Sequence, residues 1–159
     1  MPLTLCRIDD RLIHGQVVLG WGAPLGVDLI VLVDEAVRDN AWEREIYRMA
    51  VPQGVEVEFL GADEAGSRLR EWADGHRRVF VLTGDIATME RLVERGDGAI
   101  TRINLGGVHR QPGRRERLRY LYLSEDEVDR LRKLAESGVH VTAQDVPTAM
   151  PVTLQALLG

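Results

Sequence analysis

The chain has a single cysteine, Cys6, and so has no partner for an internal disulfide. Set within LTLCRI, that thiol reads as a small buried apolar residue rather than a reactive one. No apolar run approaches the roughly 18 residues of a membrane span, and MPLTLCRID lacks the basic-then-apolar layout of a secretory signal. The protein is therefore expected in the cytoplasm. A formal net charge of -5 argues against nucleic acid as a partner, because neutralising phosphates needs a basic face. There is no GxxxxGK[ST] loop to cradle a nucleotide. Four scattered histidines and one cysteine make no metal cluster, so neither a metal nor another cofactor is expected. Internal repeats, low-complexity tracts and linkers are missing too. With 159 residues and 45% hydrophobic content, this predicts one domain over 1–159 with a sizeable core.

What is present is an alternation of short β-type runs with amphipathic helical runs. Strand candidates are LTLCRI (3–8), DLIVLV (28–33), VEVEFL (55–60), RVFVL (78–82), RINL (102–105), YLYL (120–123) and VHVTAQ (139–144). Between them four apolar stripes recur at helical spacing: Trp42, Ile46, Met49; Ala62, Ala65, Leu69, Trp72; Ile86, Met89, Leu92, Val93; and Val128, Leu131, Leu134, Ala135. Ser124 with Glu127 forms a capping-box pattern, Asp85 suits an N-cap, and Gly96 and Gly138 stand where helices end. Runs such as LIVLV are apolar at every position, as expected when helices cover both faces of a sheet. The prediction is an α/β fold: an open, doubly wound, mainly parallel twisted sheet of about 6–7 strands. The stretch 106–119 breaks the rhythm, so RINL and YLYL either pair antiparallel at one side of the sheet or are joined by a long loop.

In such sheets the functional crevice lies beyond the carboxyl ends of the strands. That rule collects Asp9, Asp10, Arg11 and His14; then Asp34 and Glu35; Thr83 and Gly84; and Asn104, Gly106 and Gly107. His14-Gly15 stands where a helix carrying Val17, Val18 and Trp21 begins, and the amides of a first turn suit an anion such as phosphate. Arg11 adds a planar, permanent charge. A cation beside an imidazole lowers its pKa, leaving the neutral ring a nucleophile needs. One of Asp9 and Asp10 is expected to orient Arg11 or hold a ring N–H of His14, the other to cap the loop. The Thr83 hydroxyl reaches either a phosphoryl oxygen or the following helix. Against this, a turn rich in Asp and Arg is often only a salt-bridged loop, and spacing alone leaves both readings open.

At RIDDRLIHGQV, residues 7–17, the sequence resembles the IIB components of the mannose/fructose/sorbose family of the bacterial sugar phosphotransferase system. The likeness continues through VDEAVRDN (33–40), INLGG (103–107) and QDVPTAMPV (144–152). It implies a doubly wound fold and a phosphotransferase that works without metal or nucleotide. His14 would take a phosphoryl group on Nδ1 from a phosphohistidine of a IIA protein or domain. It would pass the group to a sugar of the mannose, fructose, sorbose or amino-sugar class held by membrane IIC and IID components. Arg11 would neutralise the phosphoryl oxygens, the amides around Gly15 and Gln16 would bind them, and the protein would sit at the inner membrane face through IIC and IID. The family often has basic residues in its closing segment, where this chain has Ala149-Met150, and the stretch HRQPGRRERLRY (109–120) is unusually rich in arginine.

Two rival functions stay open from sequence: a regulatory module read by its phosphorylation state without transport, and an anion-binding domain with no covalent step. Arg110, Arg114, Arg115, Arg117 and Arg119 form either a solvated connection or a docking surface for an acidic partner. His76 reads as exposed, His140 as a residue alternating within a strand with one face in water, and His109 as a solvated loop residue first, with lining the crevice as the alternative. Trp21, Trp42 and Trp72 fall on helical apolar stripes and are expected to pack in the core. Exposed apolar surface leaves a homodimer open.

Overall fold

The computed structural model describes residues 3–159, apart from the side chain of Gln16. Its strands are β1 (Leu5–Ile8), β2 (Leu29–Val33), β3 (Glu56–Leu60), β4 (Val79–Thr83), β5 (Arg102–Leu105), β6 (Arg115–Leu118), β7 (Leu121–Leu123), β8 (His140–Ala143) and β9 (Val152–Thr153). A π-helical segment spans Gln16–Gly22. The α-helices are α1 (Glu35–Arg38), α2 (Ala41–Ala50), α3 (Ala62–Asp74), α4 (Ile86–Arg95), α5 (Glu125–Glu136) and α6 (Leu154–Leu158).

Seven strands form one sheet in the order β3-β2-β4-β1-β5-β8-β9, all parallel except β9, which runs antiparallel to β8. Every residue of β2 and β4 is buried, the mark of parallel strands covered on both faces. After β1 the chain moves across to β2 and β3, returns through β4 to one side of β1, and continues with β5 on the other side. Crossovers therefore diverge at β1, and a crevice opens beyond its carboxyl end.

Two apolar layers sandwich this sheet. On one face Leu69, Trp72, Met89, Leu92, Leu131 and Leu134 of α3, α4 and α5 pack on Cys6, Ile8, Val31, Val81, Ile103 and Val141. On the other, Leu12, Ile13, Val17, Val18 and Trp21 pack on Ile30, Leu32, Phe80 and Leu82. Burial pushes the Cys6 thiol up to about 12, in keeping with an inert core residue. The expected caps form: Ser124 Oγ accepts from Glu127 N at 3.1 Å while Glu127 Oε1 accepts from Ser124 N at 2.9 Å, and Asp85 Oδ1 accepts from Thr88 N at 2.7 Å. Gly138, at φ +103, takes the left-handed position past α5. Among the described residues no helix is long and apolar enough to cross a membrane.

Three features depart from expectation. Neither arrangement foreseen for RINL and YLYL occurs: β7 pairs antiparallel with β6, inside the arginine-rich stretch, as a separate two-stranded ribbon. Leu121 and Leu123 anchor that ribbon by burial in the core, while Arg115 and Glu116 face water. The second departure is α2, in which no residue is buried and Trp42 is 75% exposed alongside Ile46 and Met49. Trp42 is thus not a core residue; the helix instead leans on the sheet edge through Tyr47, whose ring lies 6.4 Å from that of Phe59. Periodicity creates a stripe but does not say whether a sheet meets it. Third, β5 and β8 alternate, with Ile103, Leu105, Val141 and Ala143 buried and Arg102 and His140 exposed, so one face is wet at that end.

The two tryptophans give contrasting outcomes in denaturant melts. Trp72→Ala should cost about 3–5 kcal/mol, as expected for emptying a core site, whereas Trp42→Ala should stay within about 0.5 kcal/mol of the parent. Equal losses would show that α2 is packed against something in solution.

Candidate active site

Strand pleating sends Cys6 and Ile8 into one core and Arg7 to the opposite face. There the Arg7 guanidinium is fully buried. Nη2 donates to Asp9 Oδ2 at 3.1 Å and to the Asp145 carbonyl at 3.1 Å; Nη1 donates to the Gln144 carbonyl at 2.9 Å and to Asn104 Oδ1. The Trp21 ring lies over it, 4.5 Å from Cζ to ring centroid. Trp21 Nε1 in turn donates to the Asp145 carbonyl at 3.4 Å. One buried cation thus ties β1 to β5, to the π-helical segment and to the closing loop after β8.

Asp9, also fully buried, is the counter-charge. Its Oδ1 accepts from the Arg11 backbone at 3.1 Å and from Arg11 Nε at 2.9 Å, and its Oδ2 accepts from Arg11 Nη2 at 2.7 Å. Burial alone would raise the Asp9 pKa, but the Arg11 hydrogen bonds and the charges of Arg7 and Arg11 outweigh it and hold the carboxyl below its ordinary value. Burial lowers the pKa of Arg7 in spite of Asp9. Two glycines make room for the cluster. A Cβ on Gly106 would overlap the Arg7 guanidinium and stand 2.6 Å from Asp9 Oδ2; one on Gly107 would lie 3.4 Å from both Arg11 Nε and Asp9 Oδ1.

The turn after β1 closes with Leu12 N–H donating to the Asp9 carbonyl at 3.0 Å, and puts Leu12 at φ +59, a strained conformation for a branched residue. Burial of the Leu12 side chain in the second core holds it there. Arg11 emerges 29% exposed, with Nη2 3.8 Å from Asp145 Oδ1 at the rim. His14 follows, half-buried, with its Nε2 buried. Its pKa is lowered first by burial and then by the Arg11 charge, against a smaller opposing pull from Asp9. Burial, not the cation expected from sequence, leads.

The segment after His14 is wider than the expected α-helix: the Ala23 N–H reaches the Val18 carbonyl, five residues back, at 3.0 Å. Such π-helical turns occur disproportionately at functional sites. Gly15 has helical dihedrals at its start, and the Gln16 side chain lies outside the described residues.

The structure separates the roles of the two acids. Asp9 orients Arg11, whereas Asp10 Oδ2 accepts from the His109 backbone at 2.7 Å and its Oδ1 stands 2.6 Å from His109 Nδ1, pinning the loop after β5. Thr83 does not serve as a phosphate contact: it is fully buried and its hydroxyl donates to the Asp85 carbonyl at 3.2 Å, which spends the one proton an anion would need. Asp34 caps α1 through Val37 N at 2.9 Å, and β4 stands between its strand and β1. In the arginine-rich stretch, Arg114 is held by Glu127 at 3.0 Å through both Nε and Nη2 and donates to the His109 carbonyl at 2.9 Å. Among the described residues no acidic, histidine or cysteine group is placed to hold a metal.

Sequence reasoning missed Arg7 and the closing-loop carbonyls. The signal was present: an arginine inside a strand whose neighbours are apolar must find an acid when both faces are covered.

A family model described as PTS system sorbose subfamily IIB component matches residues 3–159. The N-acetylgalactosamine-specific phosphotransferase enzyme IIB component 1 of Escherichia coli (strain K12) is 29% identical over 146 residues, 91% of each chain. The crystal structure of that component from Escherichia coli superposes with a TM-score of 0.88 at 27% identity, over 95% of this chain and 98% of that one. The crystal structure of manxB from Thermoanaerobacter tengcongensis has a TM-score of 0.85 at 35% identity, over 98% and 94%. The mannose-specific EIIAB component of Escherichia coli (strain K12) is 27% identical over 159 residues, 100% of this chain but 49% of that protein.

Two measurements check the site. Gly106→Ala should destabilise the fold by about 1–3 kcal/mol through overpacking, while Gly22→Ala, whose added Cβ meets nothing within 4 Å, should change little in the same urea melts. In NMR titrations the His14 ring should gain its proton below the ordinary 6.5, so that it is neutral at pH 7. Arg11→Ala should move that midpoint upward by removing a positive neighbour; an unchanged midpoint would show that Arg11 does not act on the ring.

Proposed function

Because the chain belongs to the sorbose-subfamily IIB components of the sugar phosphotransferase system, we propose that His14 is the residue that carries its phosphoryl group. IIB components of this family are phosphotransferases that pass phosphate towards a sugar. The observation that carries the assignment to His14 is a half-exposed imidazole, kept neutral by burial and by a guanidinium that a buried carboxylate locks in place.

A neutral ring offers a lone pair to phosphorus, and with Nε2 buried the reacting atom is Nδ1. The incoming phosphoryl bears negative charge on its equatorial oxygens, and the permanent charge of Arg11, held by Asp9, stands beside His14 to balance it. The amides of His14, Gly15 and Gln16 open the π-helical segment and supply further donors. Fixing these groups before the donor arrives spares the transfer their reorganisation, and positioning with charge stabilisation is most of what phosphoryl transfer asks. Asp10 acts one step removed, by holding the 106–109 loop against the site.

The donor is a IIA phosphohistidine: its P–N bond breaks as the bond to His14 forms. The mannose relative's name, EIIAB, and its doubled length support such a partner. The acceptor is a sugar presented by membrane IIC and IID components at the cytoplasmic face, in the class that includes sorbose, mannose and N-acetylgalactosamine.

With a phosphorylated IIA donor, the wild type should take up acid-labile, base-stable phosphate. His14→Ala should abolish it, and Arg11→Ala should slow it by about a hundredfold or more, as for loss of one preorganised donor. Label retained in His14→Ala would move the carrier elsewhere.

A further inference from the structure

We propose that the open face of β5 and β8 is a binding site for a sugar phosphate, the kind of product that transfer to a sugar releases. The site stands on the groove itself; only the choice of a sugar phosphate among hydroxylated anions rests on the proposed transfer. Ile103, Val141 and Ala143 turn into the core with the apolar side chains of α5 and α6. Strand alternation therefore sends Arg102, Asn104, His140 and Thr142 to the opposite face, which no apolar layer covers. The parallel register sets Arg102 beside His140 and Asn104 beside Thr142. With Trp21, Leu25 and Pro151 at its borders, this floor encloses a groove of about 830 Å³. Small-molecule sites typically fall at roughly 300–1,000 Å³.

Charge selects an anion. The chain holds 25 acidic against 20 basic residues, yet among the described residues the groove is lined by Arg78 and Arg102 and by no carboxylate. Neither guanidinium forms a salt bridge among the described residues. Arg78 Nε donates to the Leu25 carbonyl at 2.6 Å, which fixes its place in the wall, and the Asp28 carboxylate accepts from the Arg78 backbone at 2.8 Å without lining the groove. These cations lie towards the amino ends of β4 and β5. Towards the carboxyl ends the lining is neutral and hydrogen-bonding: the Thr142 hydroxyl and the amides of Asn104 and Gln144. Their places are set in advance, since Asn104 Oδ1 accepts from Arg7 Nη1, Asn104 Nδ2 donates to Gln144 Oε1 at 3.4 Å, and Gln144 Nε2 donates to the Pro147 and Ala149 carbonyls at 3.1 and 2.7 Å. Side chains already ordered cost less to bind with. Guanidiniums at one end and neutral partners for hydroxyls at the other match a phosphate ester of a polyol. A free sugar leaves the cations unused, and inorganic phosphate leaves the amides unused.

Amide NMR spectra of the full chain, titrated with mannose 6-phosphate and with N-acetylgalactosamine 6-phosphate, supply the test; mannose, N-acetylgalactosamine and inorganic phosphate are the comparisons. At least one sugar phosphate should shift the amides of residues 102–104 and 140–142, binding about tenfold or more tighter than free sugar or inorganic phosphate. Arg102→Ala should weaken that binding by about tenfold or more, the loss of one charge-assisted hydrogen bond. Arg115→Ala removes an exposed arginine from the β6–β7 ribbon instead, and should leave the affinity unchanged. The proposal is overturned if neither sugar phosphate shifts the groove, if shifts are confined to the turn at His14, or if inorganic phosphate binds as tightly as the ester. It is overturned equally if Arg102→Ala binds like the wild type or if the two arginine variants weaken binding alike. None of these results bears on His14 as the carrier, which the labelling of His14→Ala decides by itself.

Discussion

A carboxylate whose two oxygens are both held by guanidiniums, out of reach of water, is stable only while all three groups stay together. Asp9 is in that position between Arg7 and Arg11. Taking one member from such a cluster typically costs about 3–5 kcal/mol, because an uncompensated buried charge remains. The requirement spreads outward. It forbids a Cβ at Gly106, it needs the Asn104 amide and the carbonyls of Gln144 and Asp145 around Arg7, and it sets Trp21 over the guanidinium. Segments more than 130 residues apart in sequence are thereby joined within one cluster.

The same cluster sets the electrostatics at the surface. Two cations share one buried acid, and the second of them, Arg11, emerges beside His14. Asp145 Oδ1, 3.8 Å from Arg11 Nη2, and Asp10 also act on that charge. An anion arriving at His14 meets a cation already oriented, and the histidine has been kept neutral by burial and by that cation. The strained backbone at Leu12 is retained because burial of its side chain outweighs a local cost of roughly 1–3 kcal/mol. Stability and electrostatics meet in one turn: the carboxylate that anchors the loop is also what holds the Arg11 guanidinium beside His14.

The sheet explains why the site lies here and why its surroundings are uneven. Crossovers part at β1, so the carboxyl ends of β1, β5 and β8 are close together without a helix between them. The β2 end, with Asp34, is separated from β1 by β4, and Thr83 at the β4 end is fully buried, which is why two residues that obey the strand-end rule stand apart from Arg11 and His14. The rule locates a rim; only strand order says which part of the rim converges.

From sequence alone, the fold class followed because all-apolar strands alternating with amphipathic helices admit few other arrangements, and His14 and Arg11 stood out because charge clustered where a strand ended. Capping was legible at Ser124, Glu127 and Asp85, since a cap depends on residues a few positions apart. The share of work between Asp9 and Asp10, the burial of Arg7, the exposure of Trp42 and the pairing of β7 with β6 were not legible. Each of these depends on which distant segment lies opposite, and local periodicity carries no information about that. Tertiary structure decided them, because the desolvation of a charge or the covering of an apolar stripe is fixed by neighbours that the chain brings together only on folding.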